Sequence, residues 1–75
     1  MTGEQFRTIR ETLNFSQYAW GLALGYTGTR DTIHTTIERY ETDRRPIPPV
    51  LERLVWVYYY FGVPEVFDQR SFYNE

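Results

Sequence analysis

Residues 29–41, TRDTIHTTIERYE, decide how the rest of the chain is read. The stretch is rich in β-branched Thr and Ile, which favour strands, yet its apolar residues do not alternate as a strand requires. Ile33, Ile37 and Tyr40 recur at i, i+4 and i+7, which is one stripe of a helix. A helix built from such weak helix formers, with His34, Thr35, Glu38 and Arg39 turned to the other side, has an outer face chosen for what it touches.

Upstream, Thr2 reads as the N-cap of a helix that begins at Gly3, with Gln5 at the capping-box position. Phe6, Ile9 and Leu13 mark its apolar stripe, and Arg7, Arg10 and Glu11 lie beside it. Asn14 and Phe15 break the run. Ser16 is a good N-cap for a second helix, QYAWGLAL (17–24), with Trp20 and Leu24 inward, Ala23 beside them, and Gly25 as the left-handed residue that stops it. YTGTRD (26–31) is a turn, with Gly28 supplying freedom and Asp31 or Thr32 capping the third helix, which ends near Thr42. DRRPIPP (43–49) is a stiff link, because Pro46, Pro48 and Pro49 forbid a helix through it. A fourth helix, VLERLVWVYYYF (50–61), starts on Pro48 or Pro49 and closes at Gly62. Pro64 suits the start of a short turn, EVFD (65–68), and QRSFYNE (69–75) has no clear period.

The pattern predicts one all-α domain over residues 1–75, a compact bundle of about five short helices with a helix-turn-helix near 16–42. Seventy-five residues lie near the lower limit for a chain that folds on its own core. With no cysteine there is no disulfide framework and no thiolate metal site. No apolar run reaches membrane-spanning length and no signal-peptide pattern opens the chain, so a cytoplasmic-type protein is expected. The formal charge of −2 argues mildly against a partner held by bulk electrostatics. All eight basic residues are Arg, however, and Arg30, Arg39, Arg44, Arg45 and Arg53 crowd the middle third. Arg carries a planar fork of donors suited to phosphate and guanine edges, although a GC-rich genome accounts for the absence of Lys equally well.

At SQYAWGLALG (16–25) and TTIERYETDRRPIP (35–48) the sequence resembles the phage repressor and Cro-like helix-turn-helix family, also called the XRE family. Ser16, Gln17, Trp20, Gly21, Leu24 and Gly25 fill the first half of that pattern; Ile37, Tyr40 and Glu41 fill the second. The resemblance runs over roughly residues 3 to 67. It implies a lambda-repressor-like fold whose third helix enters the major groove of DNA. Gly21 fits a packing requirement on its own terms, because a mid-helix Gly costs about 1 kcal/mol of propensity and only a close approach of two helices justifies that. One departure is the long YTGTRD stretch after Gly25: either the turn is longer or the third helix starts earlier than the family pattern.

Carried over by register, the resemblance makes His34, Thr35, Glu38 and Arg39 the base-contacting residues, and a helical wheel places them opposite Ile33, Ile37 and Tyr40. Arg39 suits guanine O6 and N7, Glu38 the cytosine amino group, and Thr35 a thymine methyl. The competing reading of Arg39 and Glu38 is a solvated polar face. His34, the only histidine, reads equally as an exposed or capping residue; it has too few companions for a metal and no nucleophile for catalysis. Ser16 and Gln17 at the start of the second helix, Gly28, Thr29 and Arg30 in the turn, and Arg44 and Arg45 after the third helix are expected at phosphates. Arg10 and Glu41 match a pair that the family commonly forms between the first helix and the end of the third, and are expected as a structural ion pair.

On the fourth helix Leu51, Leu54, Tyr58 and Phe61 make the stripe expected to face the core. That leaves Val50, Trp56, Val57, Tyr59 and Tyr60, joined by Val66, Phe67, Phe72 and Tyr73, as a dimerisation region over about 50–73. The expected partners are a second copy of the chain and palindromic double-stranded DNA; no membrane, cofactor, metal or small-molecule ligand is indicated. With no catalytic constellation, the function expected is not enzymatic. It is a dimeric transcriptional regulator, a repressor and autorepressor of a small phage or bacterial operon. Small proteins of this look also occur as regulators beside anti-CRISPR or toxin genes. The rival is a protein-interaction module or small phage inhibitor that uses the same scaffold and an aromatic surface, which the −2 charge supports.

Overall fold

Each long helix begins where a side chain or a proline satisfies its first turn. The computed structural model describes residues 1–74, with five α-helices and no strand among them. α1 spans Gly3–Thr12; the Thr2 hydroxyl accepts from the Gln5 amide and the Gln5 side chain accepts from the Thr2 amide, the capping box expected. α2 spans Gln17–Ala23, with the Ser16 hydroxyl accepting from the Ala19 amide at 3.1 Å. Gly25, at φ 95°, turns the chain out of it.

α3 spans Arg30–Glu41, and its N-cap is Thr29, whose hydroxyl accepts from the Thr32 amide at 3.2 Å. Neither Asp31 nor Thr32 caps it, so the helix starts earlier than their composition suggests. Asp31 falls instead in the first turn, where a carboxylate meets the positive end of the helix dipole. α4 spans Pro49–Phe61, with Pro49 at the position where a missing N–H costs nothing and Gly62 (φ 85°) at its end. A 3₁₀ turn covers Glu65–Phe67, and α5 is a single turn at Arg70–Tyr73 that buries none of its residues, which is why no apolar period marks it.

α1 packs against α3 and α4, and α2 against α3 and α5. Trp20 fills the centre: it is fully buried, and its ring meets Phe15 at 5.2 Å, Tyr58 at 6.0 Å and Phe6 at 6.2 Å between centroids. Phe6 also meets Tyr40 at 5.8 Å, so one aromatic cluster ties α1 to α4 together. Phe15, which only breaks a helical period in the sequence, is therefore core. A Cβ on Gly21 would stand 2.2 Å from Ile33 Cγ2, so α2 and α3 touch where the glycine lies. A Cβ on Gly3 would stand 2.5 Å from the carbonyl oxygens of both Tyr40 and Glu41, a second close approach that the sequence does not signal.

The face assigned to α4 needs correction. Leu51, Val55 and Tyr58 are buried, Leu54 is half-buried, and Phe61 is 85% exposed. The inward stripe is i, i+4, i+7 from Leu51, and Phe61, on the last turn, lies off it. Tyr58 is fixed there by its hydroxyl, which donates to the Ala23 carbonyl at 2.7 Å; burial raises its phenol pKa.

Gly21→Val should lower stability by about 1–3 kcal/mol, the usual penalty for overfilling a packed site. Urea unfolding followed by circular dichroism measures it; an unchanged midpoint would mean that α2 and α3 separate without strain.

Candidate functional site

Turning Ile33, Ile37 and Tyr40 into the core leaves His34 and Arg39 exposed and Thr35 and Glu38 half-buried on the opposite side of α3. All four lie off the buried stripe. Asp31, Thr32 and Thr36 share the surface, lining with Thr35 and Arg39 a shallow depression of about 270 Å³. Spacing alone gave no reason to choose those three. The Thr36 hydroxyl donates to the Thr32 carbonyl at 2.9 Å, so it is taken up by the helix's own backbone.

The far end of α3 is braced. Arg10 Nε donates to Glu41 Oε2 at 2.6 Å and Nη2 to Oε1 at 3.2 Å, with the side chains only 11% and 4% exposed. Arg10 Nη1 donates to the Phe15 carbonyl at 2.8 Å, and Gln17 Nε2 to Glu41 Oε1 at 3.1 Å. The expected ion pair thus exists and holds the α1–α2 turn as well. Gln17, expected at a phosphate, completes this network instead. The Gly3 amide donates to Asp43 Oδ1 at 2.8 Å, closing the start of α1 onto the chain beyond α3.

The arginines lie on both sides of that face. Arg44 and Arg45 are exposed, and the Arg45 guanidinium stands 5.5 Å over the Tyr40 ring. The Tyr40 hydroxyl shares a 2.7 Å hydrogen bond with that of Tyr26. Burial and this bond push the Tyr26 phenol far above its ordinary pKa, so it stays neutral. Arg30 stands 4.7 Å over Tyr18 and 6.0 Å from the Tyr73 ring centre. Gly28 and Thr29 are exposed beside it.

Ser16 departs from expectation. It is 9% exposed; its hydroxyl donates to the Tyr73 carbonyl at 2.8 Å, and its amide donates to Asn74 Oδ1. In this conformation it presents nothing to a phosphate. The segment that covers it is anchored by Arg70, whose Nη1 donates to the Leu13 carbonyl at 2.7 Å and whose guanidinium lies 4.4 Å over Phe15. Asp68 bonds the same guanidinium, which holds its carboxyl below the usual range.

The apolar surface is divided. Trp56, Tyr59 and Tyr60 wall a groove of about 460 Å³ whose other side is α1, from Thr2 to Thr12. Trp56 is half-buried there, stacked on Tyr60 at 6.1 Å, its Nε1 donating to Glu52 at 3.4 Å. Val66 and Phe67 line a separate depression with Tyr18, Leu22 and Tyr26 of the α2 region. The two groups expected to form one interface therefore border two hollows that share no residue. Val50, Val57, Tyr60 and Phe72 are exposed as expected, and Phe61 joins them. No helix among the described residues is long and apolar enough to cross a membrane. No protein-family model matches the chain, and neither a curated protein nor a solved structure matches it.

Removing one member of a buried ion pair strands the other. Glu41→Ala should therefore cost about 3–5 kcal/mol, whereas His34→Ala, on the exposed face, should stay within about 0.5 kcal/mol. Chemical denaturation of the two variants side by side checks the contrast; equal effects would remove the pair from its bracing role.

Proposed function

We propose that the protein is a sequence-specific DNA-binding transcriptional regulator in which α2, the turn and α3 act as a helix-turn-helix and α3 enters the major groove. The observation that carries this reading is the outer face of α3. Arg39, His34, Thr35 and Glu38 sit together there, opposite a fully buried stripe, with Arg30 at one end of the helix and Arg44 and Arg45 beyond the other. Side chains with donors and acceptors read base edges, while flanking cations meet phosphates. The braced end of α3 adds support, since base reading requires a helix held at one angle. A repressor acting by occupancy, including of its own promoter, needs no further domain.

The exposed aromatic and aliphatic residues of α4 support a dimer. Two copies joined there would present two α3 helices to half-sites about 34 Å apart on one face of the duplex. The same exposed surface, with a net charge of −2, favours a second reading: an interaction module that binds another protein. Binding to duplex DNA from the gene's own upstream region separates the two.

Arg39→Ala should weaken binding to the cognate operator by about 1–3 kcal/mol and spare binding to random duplex. Equal loss on both would reassign Arg39 to the phosphates. Arg44→Gln with Arg45→Gln should weaken binding to every sequence and flatten the salt dependence of log K by about 2; an unchanged slope removes both from the interface.

Val57→Glu with Tyr60→Glu should leave circular dichroism native, because both side chains are exposed, while light scattering shows a monomer with weaker operator binding. A dimer that persists in this variant rules out the α4 face as the contact.

A further inference from the structure

Residues Asp68–Asn74 add no side chain to the core, yet they make specific long-range contacts. Arg70 reaches the Leu13 carbonyl, Asn74 Nδ2 donates to the Asn14 carbonyl at 2.9 Å, and Ser16 donates to both Tyr73 and Asn74. Tyr73 packs edge-on to Tyr18 at 5.4 Å, and the Arg30 guanidinium lies near both rings. Phe72 is 78% exposed and Tyr73 41%. A segment held by a few polar and cation–π contacts, with no buried apolar anchor, opens at a free energy well below that of global unfolding.

Its location gives the opening a consequence. Arg30 lies one turn before His34, at i and i+4 on the same side of α3. Whatever covers Arg30 therefore borders the outward polar face. The segment engages Arg30 and conceals Ser16, two of the residues that sequence reasoning assigned to the DNA backbone.

We propose that Asp68–Asn74 is an autoinhibitory clasp, competing with the DNA backbone for the surface formed by Ser16, Tyr18 and Arg30, so that full binding requires the segment to lift. The inference rests on the DNA-binding reading of α3. It makes apparent affinity depend on the fraction of molecules with the clasp open: a segment closed nine-tenths of the time weakens binding by about tenfold. Any partner that captures the freed segment would then strengthen binding to DNA.

The test uses the full chain and a random-sequence duplex, because backbone contacts are independent of sequence. Arg70→Ala with Asn74→Ala opens the clasp, and faster amide exchange at Ser16 reports the opening. Tyr18→Cys with Tyr73→Cys, in a chain that has no other cysteine, closes it through a short bis-maleimide, each cysteine thiol adding across one maleimide double bond, and is compared with the same protein uncross-linked. At about 50 mM salt the opened variant should bind about threefold to tenfold more tightly than the parent, although it has lost a positive charge. The cross-linked protein should bind several-fold more weakly than its uncross-linked form. If exchange at Ser16 rises but affinity does not, or the cross-link leaves affinity unchanged, the clasp does not compete and the proposal falls while the DNA reading stands. If no form binds duplex, the DNA reading fails and the clasp with it. Should the opened variant not fold, the cross-linking comparison decides alone.

Discussion

The contact between Gly21 and Ile33 is the constraint from which the arrangement of the other helices follows. With 2.2 Å between an ideal Cβ at position 21 and Ile33 Cγ2, no other residue fits there without displacing the Ile33 side chain or α3 itself. The approach seats Ile33 and Ile37 under α2 and brings Tyr40 to the aromatic cluster around Trp20. Once that stripe is inward, helical geometry alone sends His34 and Arg39 outward. The composition of the outer face is thus a matter of function only because the inner face is so tightly determined. A Thr-rich helix with weak intrinsic propensity is held by burial on one side.

The Arg10–Glu41 pair acts on the angle of that helix more than on the total stability. A buried pair competes poorly with a well-packed apolar substitute, because both charges must leave water. Its fork geometry, however, accepts few alignments of α1 with the end of α3, and the Phe15 carbonyl and Gln17 amide satisfy further groups. Gly3, at the start of α1, makes the same junction tight, with its amide on Asp43. Four segments therefore meet at the C-terminal end of α3, while its N-terminal end is bordered by the exposed turn and the 68–74 segment.

Net charge alone does not describe this molecule, because some of its charges are used internally. Arg30, Arg39, Arg44 and Arg45 share α3 and its flanks with Asp31, Glu38, Glu41 and Asp43, but Glu41 is paired with Arg10 and Asp43 accepts from the Gly3 amide. Glu52 accepts from the Met1 ammonium at 2.8 Å and from Trp56, which lowers its pKa. A total of −2 therefore says little about any one face, and steering depends on the local field.

The sequence by itself determined four of the five helices and most of their ends, because caps, prolines and left-handed glycines act over three or four residues; it missed α5 and the Thr29 cap of α3. Thr2 with Gln5, Ser16, Gly25, Pro49 and Gly62 all behave as their local chemistry requires. It also separated the two faces of α3, because Ile33, Ile37 and Tyr40 leave one angular solution. Periodicity was weaker in α4, where nearly every residue is apolar, so spacing alone did not choose Val55, which is buried, over Phe61, which is exposed. Tertiary structure alone decided the place of Phe15, the close approach at Gly3, and the role of residues 68–74. Those depend on contacts such as Arg70 to the Leu13 carbonyl, 57 positions apart in the chain. A single side chain bonded to a distant backbone carbonyl leaves no repeat and no spacing for a reader of the sequence to find.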